Sequence, residues 1–260
     1  MPGLCDGKVA LVTGASRGLG KSIAQRLAAQ GAVVGLTART MEPDPRYAGS
    51  LRETREQIEA AGGSAVAVAG DLSRDEDRER VFAELSDRLG SPDILVNNAA
   101  VTFLRTLDEF PERRARLMFE MHVLAPLRLI QLAIPGMRER KRGWILNVTS
   151  IAGQRPVGPP FSEFDVSAGF GLYGTVKAAL DRLTGAFAAE LSPDGIAVNA
   201  AAPSNPVRTP GAGSLELAKE DTEDIELITE TALILCTADP ARTSGRVVYT
   251  QPFLRELGRI

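Results

Sequence analysis

Residues 9–20 read Val9-Ala10-Leu11-Val12-Thr13-Gly14-Ala15-Ser16-Arg17-Gly18-Leu19-Gly20, an apolar run closing on a glycine-rich turn. Val9–Val12 has the length and composition of a buried strand, and Ile23, Ala24 and Leu27 then recur at helical spacing. Gly14 permits a tight turn, Gly18 lets the backbone approach a pyrophosphate, and Gly20 permits close helix packing. A helix starting there presents free N–H groups and the positive end of its dipole to an anion. The spacing is G-x-x-x-G-x-G rather than G-x-G-x-x-G, and taken alone the stretch also reads as a glycine turn with no ligand.

Working outward, six further apolar runs stand between turn residues: Val33–Ala38, Ala65–Ala69, Ile94–Val96, Trp144–Val148, Ile196–Ala200 and Val247–Tyr249. Near-continuous apolar strands alternating with amphipathic segments predict an α/β fold: a doubly wound parallel sheet of about seven strands with helices on both faces. No linker or repeat interrupts residues 1–260, which read as one domain. Pro111 to Arg140 is long enough for a substantial helix, which Pro126 and Pro135 are expected to kink or break. The Pro/Gly-rich stretch 153–171 reads as an elaborated loop on the substrate side.

With 44% hydrophobic and 24% charged residues the chain can bury a full core. A net charge of −3 argues against nucleic acid as a partner. No apolar run approaches the roughly 18–20 residues of a membrane span, and no signal-peptide core opens the chain. One histidine and two distant cysteines, Cys5 and Cys236, leave no metal site of the Cys/His type. Reduced thiols and a cytoplasmic location are expected. Tyr173 and Lys177 lie four apart, on one face of a predicted helix. A fixed cation near a phenol favours phenolate, so the lysine is expected to lower the tyrosine pKa. Tyr-x-x-x-Lys alone also arises as an exposed residue beside a core aromatic.

Together these elements resemble the short-chain dehydrogenase/reductase family. Residues 13–20 resemble its T-G-x-x-x-G-x-G fingerprint. Asn97-Asn98-Ala99-Ala100 stands where that family has N-N-A-G, and Ser150 ends the fifth strand ahead of Tyr173 and Lys177. Asn199, Pro203 and Thr209 resemble its N-x-x-x-P-G…T element. The resemblance spans nearly the whole chain. It implies a Rossmann-type fold and an oxidoreductase moving hydride between a nicotinamide cofactor and a carbonyl or secondary alcohol. Ser150 would stabilise the substrate oxygen, Tyr173 would be general acid or base, and Lys177 would assist the tyrosine and hold the nicotinamide ribose. The cofactor-binding set it implies is Gly14, Ser16, Arg17, Gly18, Leu19, Gly20, Arg39, Asp71, Leu72, Asn98, Ala99, Tyr173, Lys177, Pro203, Val207 and Thr209. At the end of the second strand the acid that would bind the ribose hydroxyls is absent. Arg17 and Arg39 supply cations instead, which favours NADP(H) over NAD(H).

Three departures stand out. His122 occupies the position of the family's asparagine, either as a relay group or as a core histidine satisfied by a carbonyl. The gap between Ser150 and Tyr173 is long, and Phe161, Phe164 and Phe170 within it suggest an apolar substrate wall or an anchor for the loop. Residues 203–209 lack the glycine after proline and run one residue long. The acidic stretch Glu216–Glu230 reads as a solvated helix face, and Phe253, Leu254 and Leu257 would pack on a partner subunit or on the parent core. Relatives suggest a homo-dimer or homo-tetramer. Two other functions remain open on this scaffold: a non-catalytic nucleotide-binding protein, and a reductase of an activated C=C bond or imine.

Overall fold

The computed structural model describes residues 2–45, 48–209 and 222–260; the side chains of Phe164 and Ser167 also lie outside the described residues. Seven strands form a parallel sheet in the order β3-β2-β1-β4-β5-β6-β7. They are β1 (Val9–Thr13), β2 (Val33–Ala38), β3 (Ser64–Ala69), β4 (Ile94–Asn97), β5 (Gly143–Val148), β6 (Ile196–Ala202) and β7 (Val247–Tyr249). The predicted doubly wound sheet is therefore present, each strand within two residues of its expected bounds. The chain winds outward from β1 to β3, then returns to place β4 against the other side of β1. This reversal opens a crevice beyond the carboxyl ends of β1 and β4, where ligands bind in such sheets.

Helices α1 (Gly18–Ala29), α2 (Leu51–Ala60), α3 (Asp75–Leu89), α4 (Glu112–Phe119), α5 (Ala125–Glu139), α6 (Glu163–Ser167), α7 (Gly171–Leu191), α8 (Ile225–Leu235) and α9 (Thr250–Glu256) cover the sheet. Two apolar clusters form, one holding Ile23, Leu27, Leu36 and Ile228, the other Leu85, Leu129, Ile130 and Val198. Strands buried on both faces explain why β4, β5 and β6 are apolar without alternation. Trp144, at the base of β5, is 5% exposed and donates its indole N–H to Ala238 O at 2.8 Å.

The expected break at Pro126 and Pro135 does not occur. Glu112 to Glu139 is continuous, with one π turn at Glu120–Leu124 between α4 and α5. Pro126 follows that turn and falls at the N-terminus of α5, where a missing N–H is tolerated. This helix is long and apolar enough to cross a membrane by length and composition alone. Leu129, Ile130, Ala133 and Met137 are instead buried against the sheet.

Two tail readings resolve. Phe253 and Leu254 of α9 are buried in the chain's own core, and Leu257 is largely exposed. The acidic stretch is not uniformly a solvated face: residues through 221 lie outside the described residues, but Glu223 is buried.

Candidate active site

The glycine-rich turn is braced from across the crevice. Thr13 Oγ1 donates to Val96 O (3.2 Å) and accepts from the N–H groups of Asn98 (2.9 Å) and Ala99 (3.0 Å). Asn98 Nδ2 in turn donates to Thr13 O (2.9 Å) and Gly14 O (3.3 Å). A Cβ on Gly14 would stand 2.7 Å from that amide, and one on Gly20 2.3 Å from it and 2.4 Å from Gly14 O. Asn98 was expected to touch a cofactor; its side chain is occupied in holding the turn together.

Gly18 has φ +55°, and the atoms nearest its missing Cβ belong to Thr209, from 3.3 Å. Arg17 precedes α1 without a side-chain cap, and no acidic residue stands in the first turn of that helix. In contrast, Ser50 and Glu53 form a reciprocal capping box on α2. The N-terminus of α1 thus keeps its positive end for an anionic group, and the glycines leave the backbone accessible to one. These features fit a dinucleotide pyrophosphate.

At the end of β2, exposed Arg39 lines a cavity of about 610 Å³ formed by residues 39–45. The loop after it folds back until a Cβ on Gly49 would lie 2.5 Å from Ser16 O and 3.1 Å from Arg17 Cβ. The loop that follows Arg39 thus packs on the turn that carries Arg17. The expectation of a carboxylate-free site needs correction, because Glu42 and Asp44 line the same cavity. Glu42 is ion-paired with Arg52, which holds its carboxyl below the usual range. The Asp71 carboxylate accepts from Ser73 N (3.0 Å) and Ser73 Oγ (2.8 Å), and Leu72 is buried beside it.

Beyond β5, Ser150 caps a 3-10 turn at Ile151–Gly153, accepting from Ala152 N at 3.3 Å. Helix α7 docks tightly on that turn: a Cβ on Gly174 would sit 2.4 Å from Ala152 O. The close approach brings the Tyr173 hydroxyl near Ser150 and Thr102, whose hydroxyls favour its ionised form. Lys177 is one turn on, 3% exposed, donating to Val148 O at 2.8 Å with its Nζ 5.8 Å from the Tyr173 ring centre. Ser150, Tyr173 and Lys177 are therefore gathered as expected.

Their electrostatics differ from the sequence reading. Burial pushes the Tyr173 phenol above its ordinary value, with Ser150 and Thr102 acting the other way. Lys177 gives its hydrogen bond to Val148 O rather than to the phenol oxygen. Burial lowers Lys177 to about 8, against the pull of Asp181. Asp181, one turn further along α7, is raised to about 6 by burial, with Thr149 and Lys177 acting the other way. Thr102 and Asp181 were both missed in the sequence. Asp181 carried a signal, four residues beyond Lys177; Thr102 carried none beyond its place after Asn97–Ala100.

His122 lies in the π turn, 1% exposed, its ring 5.8 Å from that of Tyr173 and nearly perpendicular. Nε2 lies 2.8 Å from Val101 O. A carbonyl only accepts, so Nε2 carries the ring proton. Burial foremost, then Lys177, lowers its pKa to about 3. The ring is thus neutral, and the geometry matches the core-histidine reading.

In the long loop, Phe170 stands 6.1 Å from the Tyr173 ring. Phe161 is 53% exposed and packs at Gly158, where a Cβ would lie 2.5 Å from its ring. Gly169 (φ +65°) accepts from Arg105 N at 3.3 Å, tying this loop to the β4–α4 connection. Beyond β6, Pro203 is half-buried, Val207 is buried in a parallel bridge with Glu223, and Thr209 reaches Gly18.

Such a crevice, glycine cradle and Ser/Tyr/Lys cluster define a nucleotide-dependent α/β protein. Residues 8–220 match the short chain dehydrogenase family, and the chain belongs to it. It is 34% identical over 199 residues to the 3-oxoacyl-(acyl-carrier-protein) reductase FabG of Staphylococcus epidermidis, covering 75% of this chain and 74% of that protein. It is 32% identical over 197 residues to the ketoacyl reductase HetN of a Nostoc species, covering 76% of this chain and 63% of the relative. The chain spans about three-fifths of the length of several curated relatives it matches (63%, 58% and 60%). Among solved structures, a 3-oxoacyl (acyl-carrier-protein) reductase from Agrobacterium tumefaciens with NADP bound superposes with a TM-score of 0.80. The two are 26% identical, and the match covers 94% of this chain and 93% of that one.

Proposed function

We propose that the chain is an NAD(P)-dependent oxidoreductase, NADP(H) preferred, interconverting the carbonyl and secondary alcohol of an apolar small molecule. The observation that carries this reading is the gathering of Ser150, Tyr173 and Lys177 at the crevice, with the Lys177 Nζ 5.8 Å from the Tyr173 ring centre. The cofactor would supply the hydride. Ser150 and Tyr173 place two hydroxyl donors where a substrate oxygen gains charge, and preorganised donors stabilise such an oxyanion. Tyr173 delivers the proton to that oxygen in reduction and removes it in oxidation. Lys177, buried and cationic below about pH 8, offsets charge that develops on the phenol oxygen. His122, neutral and with its Nε2 proton held by Val101 O, orients the Tyr173 ring by edge contact and relays no proton.

The preference for NADP(H) is supported by Arg39 lining a cavity at the end of β2, by Arg17 in the glycine-rich turn, by the pairing of Glu42 with Arg52, and by the NADP bound in the Agrobacterium reductase. An apolar substrate is supported by Phe170 beside Tyr173 and by exposed Val157, Phe161 and Val166 on the 153–170 loop. We assign the protein to the cytoplasm, and its assembly to a homo-dimer or homo-tetramer, by analogy with its family. The test is Tyr173→Phe. Turnover of a ketone panel with NADPH is expected to fall about 10³-fold, within the range removed with a general acid, while NADPH binding persists. Undiminished turnover would refute the role of the tyrosine, and reduction of enones but not ketones would move the reading to C=C chemistry.

A further inference from the structure

Glu223 is a carboxylate that this chemistry does not use. It is 6% exposed, and its side-chain partners among the described residues are neutral donors. A buried carboxylate without a cation is costly unless hydrogen bonds saturate it. Here they do. Oε2 accepts from Ser204 N (3.1 Å) and Gln251 Nε2 (3.2 Å), and Oε1 accepts from Thr250 Oγ1 (2.5 Å). Thr250 is fully buried and also accepts from Ser204 N at 3.0 Å. Ser204 Oγ accepts from Gln251 N at 3.0 Å. The backbone joins in, with Glu223 N donating to Pro206 O at 2.9 Å and Glu223 bridging Val207.

Ser204, Pro206 and Val207 are all held by this network, and they lie in residues 203–207, the segment that departs from its family's pattern by carrying Ser204 after the proline. That segment runs from the carboxyl end of β6 to the glycine cradle, where Thr209 reaches Gly18, and so forms a wall of the crevice. We propose that Glu223, acting through Ser204 and Thr250, is the positioning residue that fixes this wall against the nicotinamide half of the dinucleotide. The inference depends on the crevice being a nicotinamide-dinucleotide site. Glutamine at this position keeps the shape and one acceptor oxygen but supplies an amide where the second oxygen accepted a bond.

The experiment compares wild type, Glu223→Gln and Thr250→Val by isothermal titration calorimetry with NADPH and with 2′,5′-ADP, which carries the adenosine half alone. In both variants NADPH affinity is expected to fall about 10-fold, the loss of one hydrogen bond to a charged group, with 2′,5′-ADP affinity unchanged. Thr250→Val stands in if Glu223→Gln does not fold. Equal losses for both ligands, or no loss for either, would overturn the positioning role while leaving the crevice assignment intact. Failure of wild type to bind either ligand would overturn both.

Discussion

Substituting Gly20→Ala tests the brace beneath the glycine-rich turn. The added methyl would sit 2.3 Å from Asn98 Nδ2 and 2.4 Å from Gly14 O, and the second of these is backbone that a side-chain rotation does not relieve. The turn must retreat by at least about 0.6 Å to reach 3.0 Å, the closest approach real Cβ atoms tolerate. Overpacking of this kind costs about 1–3 kcal/mol. Displacing the Asn98 amide removes a further buried hydrogen bond worth about 1 kcal/mol. Alanine's greater helix propensity returns at most about 1 kcal/mol, and less than that in the first turn of α1. The net cost is about 2 kcal/mol, or a fall in Tm of about 4–8 °C for a chain this size. Gly185→Ala is the matched control: it lies in α7 with nothing within 4 Å of the added methyl, so Tm should rise by about 2–4 °C. Thermal unfolding followed by far-UV circular dichroism measures both. A Gly20→Ala protein that melts at or above wild type, beside a stabilised Gly185→Ala control, would show that the turn is not packed as described.

Lys177 loses its proton near pH 8 and Asp181 holds that value up, so kcat/KM for reduction should decline as pH passes about 8. In Asp181→Asn the decline should begin at lower pH, and coincident pH–rate profiles would sink this coupling. The Asp181 carboxyl is raised from 3.8 to about 6, so its stabilising contribution is present at low pH and is lost as pH rises through about 6. Urea midpoints of wild type should therefore fall relative to Asp181→Asn across that window, and parallel midpoints would contradict it. Arg39→Ala should weaken NADPH binding about 10-fold and leave NADH binding unchanged, given an exposed charge-assisted phosphate contact. Equal loss for both nucleotides in a fluorescence titration would remove Arg39 from 2′-phosphate recognition.

The sheet was legible because its signal is local: β-branched runs bounded by glycine need no tertiary information to be seen. The positions of Ser150, Tyr173 and Lys177 were legible for the same reason, each falling at a strand end or on one helical face. What escaped depended on contacts across the sequence. The brace that Asn98 supplies to the turn 84 residues upstream was invisible in the sequence. Glu223 looked like one more acid on a wet helix, because the threonine and serine that satisfy it lie 27 and 19 positions away. The proline signal in Glu112–Glu139 was misread because a π turn ahead of Pro126 absorbs the irregularity without bending the chain apart. Spacing alone placed Lys177 beside the phenol, but it could not show that burial raises the phenol and lowers the ammonium, or that the ammonium donates to a main-chain oxygen.

Trp144 is the single tryptophan of the chain, packed at the base of β5 between the cations of Lys8 and Arg142, 5.6 and 5.7 Å away. Ser150 stands at the opposite end of that strand, about 20 Å away at some 3.3 Å per residue. A lone emitter at that range is never quenched by direct collision with whatever enters the crevice. Dimming on addition of a dihydronicotinamide must then report energy transfer, and a red-shifted spectrum must report water reaching the foot of the sheet. One fluorophore thus supplies two separable optical signals without any label being attached.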